Sequence, residues 1–244
     1  MGFFDNNNYG RPTTTVTNNL VIINVLMFLA DIVLQGKGIY LTDWLGLHYY
    51  DSDMYHGWQP LTYLFMHGSF DHLLCNMIAV YFIGRAIELT WGSRRYIIYY
   101  LVCGVGAAIV QQLTWRWGMH DAMAKALLSV NPGSDLQTMM AMSYNELLSY
   151  CERYVDAYVT VGASGSVFGV LLALGILYPN SPIYLYFILP IKTKYFVVGY
   201  ALIELFAGIR ASAGDNVAHF AHLGGMLFGF LLIWMWRHDR RDYF

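Results

Sequence analysis

The sequence predicts an all-α, polytopic membrane protein built as a bundle of six transmembrane helices. Its composition and its segmentation carry that expectation. Apolar residues make up 57 % of the 244 residues and charged residues only 12 %, against roughly 45–50 % and 25 % in a soluble domain. So few charges cannot cover a soluble surface. The apolar residues also fall into separate runs that approach the roughly 20 residues needed to cross a bilayer. Other classes are excluded by the same arithmetic. A net charge of −2, from 14 basic and 16 acidic side chains, supplies no field to attract nucleic acid. Three scattered cysteines, Cys75, Cys103 and Cys151, make no disulfide framework. The 20 tyrosines and seven tryptophans suit aromatic belts at the membrane interface.

Taken in order, residues 1–19 form a polar segment without the charged start and short apolar core of a cleavable signal. The six-helix domain covers 20–236. Its segments run from about Leu20 to Leu34, Leu61 to Ile83, Tyr96 to Leu113, Gly162 to Tyr178, Thr193 to Ile209 and Val217 to Trp236. An extended outer loop, 115–161, separates the third from the fourth. In it Ser143 and Glu146 form a capping-box pattern before an amphipathic stretch. Residues 180–192, broken by Pro182 and Pro190, read as an interfacial loop, and 237–244 as a short basic tail. Basic residues concentrate at one set of helix ends, with Arg85, Arg94, Arg95, Lys192, Lys194 and Arg237 among them. By the positive-inside rule both termini are cytoplasmic, and the expected location is the bacterial cytoplasmic membrane.

The second, fourth and sixth segments then all run inward from the outer face. Each carries polar residues that a bilayer penalises. The second holds His67, His72 and Asn76, the last two one helical turn apart. The fourth holds Ser164 in GASGSVFG (162–169), and the sixth holds His219 and His222 in AHFAHLGGMLFG (218–229). Taken singly, each fits a structural patch that ties helices together. Together, His72, Ser164 and His222 come at one depth on helices that share a direction. A serine, a base and spare hydrogen-bond donors form an acyl-transfer constellation. His222 can take the proton from Ser164, and either histidine of that segment qualifies by chemistry. The Ser164 backbone N–H, at a helix N-terminus, can help bind an oxyanion together with His72 and Asn76. Gly162 and Gly165 allow close backbone approach. Gly165 with Gly169, and Gly225 with Gly229, make small-residue faces for helix contact. No acid has an obvious claim as a third member. Asp215 falls in a connecting loop, and Asp31 and Glu204 lie inside helices without a paired carboxylate. A Ser–His dyad is the economical reading, with Phe168, one turn below Ser164, stacking on the imidazole of His222. No H-E-x-x-H marks a metal site, and no cofactor is expected.

These residues resemble the rhomboid family of intramembrane serine proteases over about 58–236. The resemblance rests on HGSFDHLLCN (67–76), then Glu88, Gly92 and Ser93, then GASG (162–165), then AHLGG (221–225) followed by Gly229. It implies a rhomboid-like six-helix bundle. Ser164 would be the nucleophile, and His222 rather than His219 the base. His72, Asn76 and the Ser164 backbone would form the oxyanion hole. It also implies transmembrane proteins as substrates, cut within or beside their membrane segments without metal or ATP. The fifth helix and the loop after it would gate entry. Two positions depart from the family: Trp58-Gln59 stands for the usual Trp-Arg, and Phe168 for a common Tyr. The alternative function is a non-catalytic protein of the same fold that binds client transmembrane helices.

Overall fold

A computed structural model describes residues 14–130, 155–156, 158–185, 188–210 and 218–239, with side chains from 119 to 130 and at 239 excepted. All six predicted segments are helical. The first is α1 (Thr15–Gln35). A short α2 (Leu41–Leu45), strand β1 (Leu47–His48) and α3 (Gln59–Thr62) follow. The second segment is one long helix with α4 (Phe70–Ala79), a π-helical turn (Val80–Gly84) and α5 (Arg85–Trp91). The third is α6 (Ser93–Val130). Strand β2 (Val159–Thr160) leads to the fourth, α7 (Ser164–Leu177). Strands β3 (Pro182–Leu185) and β4 (Leu189–Lys192) precede the fifth, α8 (Thr193–Arg210), and the sixth is α9 (His219–Asp239).

The exterior is apolar and the interior carries the polar groups. Ile22, Leu26, Leu29 and Val33 of α1, and Val198, Ile203 and Phe206 of α8, point outward. Asn24, Asp31, Glu88, Glu204 and His222 are buried. An apolar exterior this extensive fits lipid and not water, and the protein is an integral, multi-pass membrane protein of the all-α class. Among the described residues, four helices are long and apolar enough to cross a bilayer: Thr15–Gln35, Phe70–Trp91, Ser93–Gly118 and His219–His238. The remaining two differ for separate reasons. Helix α8 has the length but carries Lys194, Glu204 and Arg210. Helix α7 has only 14 residues, about 21 Å at 1.5 Å per residue, against a hydrocarbon core of about 30 Å.

Several boundaries need correction. The second helix starts at Phe70, not near Leu61. Ser69 is its N-cap, accepting from the His72 N–H at 3.2 Å, so His67 lies in the loop before it. The third helix continues to Val130, because the polar residues past Leu113 end the apolar run and not the backbone hydrogen bonding. The 180–192 segment is a β-hairpin and not an irregular loop, with Pro182 paired to Lys192 and Leu185 to Leu189. Proline is tolerated there because an isolated two-stranded ribbon has only edges. The predicted capping box at Ser143 and Asp215 lie outside the described residues. The tyrosines are not all interfacial. Tyr63, Tyr96, Tyr99 and Tyr100 fill the centre of the bundle. Two of them donate to helix carbonyls, Tyr63 to Gly104 and Tyr99 to Gly169, each at 2.7 Å.

Glu88 ties α1 to the bundle. Its carboxylate accepts from the Val16 and Thr17 N–H groups at 3.0 and 2.8 Å, and from the hydroxyls of Thr17 and Ser93. It thereby satisfies N-terminal donors of α1 that helix geometry leaves unpaired. Gly92, at φ +80°, makes the turn that brings Ser93 back to this carboxylate. Glu88→Ala strands these donors, and the expected cost is about 2–4 kcal/mol. Thermal unfolding in detergent measures it, with Glu88→Gln, which keeps an acceptor, falling less.

Candidate active site

The chain enters α7 along an extended stretch braced on both sides. Strand β2 pairs antiparallel with β1, Leu47 opposite Thr160. Gln59, the departure from Trp-Arg, is fully buried against the same loop. It accepts from the His48 N–H at 3.2 Å and donates to the Met54 carbonyl at 2.8 Å. Gly162 follows at φ +125°, its N–H donating to the Tyr63 carbonyl at 2.9 Å. A side chain there would be strained by the backbone and would also lie 2.6 Å from His72 Cε1 and 3.7 Å from Asn76 Nδ2. The glycine therefore keeps open the space between the second helix and the start of α7. Ser164 is the first residue of α7 and is half-buried. Its N–H belongs to the first turn, whose donors have no intrahelical partner, at the positive end of the helix dipole.

The opposite wall is α9, which packs on α6 and α7. Contact with α7 is close because both helices present glycine. A Cβ on Gly225 would run into the Gly165 carbonyl, and one on Gly229 into the Tyr99 hydroxyl. This approach brings His222, buried in the first turn of α9, to Ser164. Nε2 of His222 lies 2.9 Å from Ser164 Oγ. Phe168 stacks face to face on the same imidazole, with ring centroids 4.2 Å apart and planes at 7°. Tyr200 of α8 in turn stacks on Phe168, with ring centroids 5.0 Å apart.

One contact was not anticipated. Glu204, on α8 and 5 % exposed, accepts at Oε2 from Nδ1 of His222 at 2.9 Å and from Nδ1 of His219 at 2.7 Å. The signal in the sequence was an acid within an apolar helix, which is a functional-site candidate by its cost alone. It forms no carboxylate pair, because its partners are histidines on the next helix.

On the remaining side, Asn76 is buried with no hydrogen-bond partner for its Nδ2 among the described residues. The His67 ring packs edge-on to His72, centroids 5.0 Å apart. All the residues expected at the site thus converge: His72, Asn76, Gly162, Ser164, Phe168 and His222, with Gly165, Gly225 and Gly229 making the helix contact. His219 is the neighbour that does not reach the serine and is held on Glu204 instead. Among the described residues, Glu204, His219 and His222 are the group whose composition could hold a metal ion. Their separations of 2.7 and 2.9 Å are those of hydrogen bonds. Donors about a tetrahedral zinc at ~2.0–2.1 Å would stand farther apart, at about 3.3 Å.

Fold and site together define a polytopic helical membrane protein with a serine–histidine pair recessed at the start of a short helix. Comparison with known proteins gives the family of the fold. The rhomboid domain model matches residues 55–239, and the chain belongs to the rhomboid family. It is 29 % identical over 177 residues to RHOMBOID-like protein 4 of Arabidopsis thaliana, covering 72 % of this chain and 33 % of that protein. It is 27 % identical over 229 residues to the chloroplastic Rhomboid-like protein 11 of the same plant, covering 88 % and 63 %. The rhomboid protease GluP of Bacillus subtilis is 27 % identical over 173 residues, covering 71 % and 25 %. The chain thus spans about a third of the length of several curated relatives that it matches.

Proposed function

We propose that this chain is a serine endopeptidase that cuts transmembrane or membrane-proximal segments of other membrane proteins. The observation that carries the reading is the 2.9 Å contact between His222 Nε2 and Ser164 Oγ, inside the bundle and at a helix N-terminus. Ser164 gives its proton to Nε2 as Oγ adds to the scissile carbonyl carbon. The oxyanion that forms is received by the Ser164 N–H, the Asn76 amide and His72. His222 then protonates the departing amine, and an acyl group remains on Ser164. Water, deprotonated by the same Nε2, hydrolyses that ester. The shortness of α7 supports a site sunk below the membrane surface, with the extended stretch 158–163 leading into it. A substrate helix must lose local hydrogen bonds before its carbonyl can be attacked, so segments with weak helix formers are the expected targets. The basic residues at the starts of α6 and α8 and at the end of α9 support cytoplasmic termini, in a membrane that this reading takes as the bacterial cytoplasmic one.

The test is the purified protein in liposomes with a transmembrane reporter. The reading expects two fragments from one cut within or beside the membrane segment. Recovery of the intact reporter bound to the protein, with no fragments, would favour a client-binding role instead.

A further inference from the structure

The geometry points to Glu204 as a positioning residue that completes a Ser164–His222–Glu204 array across three helices, with His219 holding the carboxylate in place. This rests on the reading of Ser164 as nucleophile and His222 as base. A neutral imidazole carries one proton, on either nitrogen. It can accept from Ser164 only if Nε2 is bare, and the partner of Nδ1 decides this. Glu204 is that partner. A carboxylate only accepts, so at 2.9 Å it fixes the Nδ1–H tautomer and leaves Nε2 free for the serine. When the proton moves to Nε2, the ring becomes a cation against a carboxylate in a site only slightly exposed. Stacking on Phe168 fixes the plane of the ring but cannot choose its tautomer, so the two contacts are not redundant.

His219 explains how a single acid in an apolar helix keeps its direction. Its Nδ1 meets the same Oε2 at 2.7 Å, and the two imidazoles stand nearly perpendicular at 87°. Glu204 is thus gripped by both histidines of α9. Tyr200, one turn earlier on α8, meets Phe168. The orientation of the base therefore depends on the seating of α8 against α7 and α9.

The experiment compares kcat and KM for reporter cleavage in liposomes by wild type, Glu204→Ala, Glu204→Gln and His219→Ala. Glutamine preserves size and can still accept from Nδ1, without the charge. Glu204→Ala is expected to lower kcat by about 30- to 100-fold with KM within about threefold, and Glu204→Gln by about tenfold; both losses fall short of the ~10⁴-fold loss of a triad acid because Phe168 still holds the ring plane. His219→Ala should lose less than Glu204→Ala. Wild-type kcat in both Glu204 variants overturns the inference. So does a glutamine variant no better than alanine, if both also lose thermal stability and KM rises as kcat falls, for Glu204 would then only pack. A wild type that neither cuts nor takes a serine-directed probe overturns the nucleophile reading itself, and this inference with it.

Discussion

Ser164→Ala and His222→Ala should each lower reporter cleavage by at least about 10⁴-fold while the protein stays folded. In the proposed mechanism the serine supplies the attacking oxygen, and no other hydroxyl is within reach of His222 in the described contacts. The histidine is the base in that mechanism, and among the described residues it is the one basic side chain in hydrogen-bond contact with that oxygen. The two act as one unit, so the double variant should be no slower than either single one. That non-additivity separates a catalytic pair from two independent packing residues. Folding should survive both changes. Ser164 is half-buried, and in His222→Ala the Glu204 carboxylate keeps its contact with His219. His219→Ala is the informative control, since its Nδ1 faces Glu204 and not the serine. If His219→Ala abolished cleavage and His222→Ala did not, the base would be wrongly assigned.

The second largest effect should come from Asn76. Its buried amide nitrogen has no hydrogen-bond partner among the described residues, which ordinarily costs about 1–3 kcal/mol. Such a donor is useful only if an acceptor appears later, and the tetrahedral intermediate supplies one. Asn76→Ala should lower kcat by about 10²- to 10³-fold with little change in KM, because the interaction exists only in the transition state. Asn76→Asp is the sharper test. It preserves shape but offers a carboxylate where negative charge develops, so its loss should equal or exceed that of alanine. A structural asparagine would show the reverse order.

Much of this architecture was legible because the bilayer makes polar residues conspicuous. In a chain with 12 % charge, His72, Asn76, Ser164 and His222 stand out. Helix direction then predicts that they meet, and each of Phe70, Ser164 and His219 does open its helix near them. The glycine faces were legible for a similar reason, since Gly165 and Gly225 recur at helical spacing beside the reactive residues. What escaped depended on partners distant in sequence or on backbone that hydropathy does not describe. Glu204 has no local pattern, because its histidines arrive from α9. The Pro182 and Pro190 hairpin escaped because proline is a breaker in helices but is tolerated in edge strands. The extension of α6 escaped because hydropathy marks where lipid ends, not where a helix ends. Buried Tyr63, Tyr96, Tyr99 and Tyr100 were expected at the interface, since composition cannot distinguish a tyrosine facing headgroups from one donating to a buried carbonyl.

A nucleophilic Ser164 activated by His222 is open to covalent labelling. Incubating the purified wild type and its His222→Ala variant with a fluorophosphonate probe tests it most directly, with the modified residue located by mass spectrometry. A covalent adduct is expected on Ser164 in the wild type, and none in the His222→Ala variant on the same timescale. No adduct on wild-type Ser164, or equal labelling with and without His222, would contradict it.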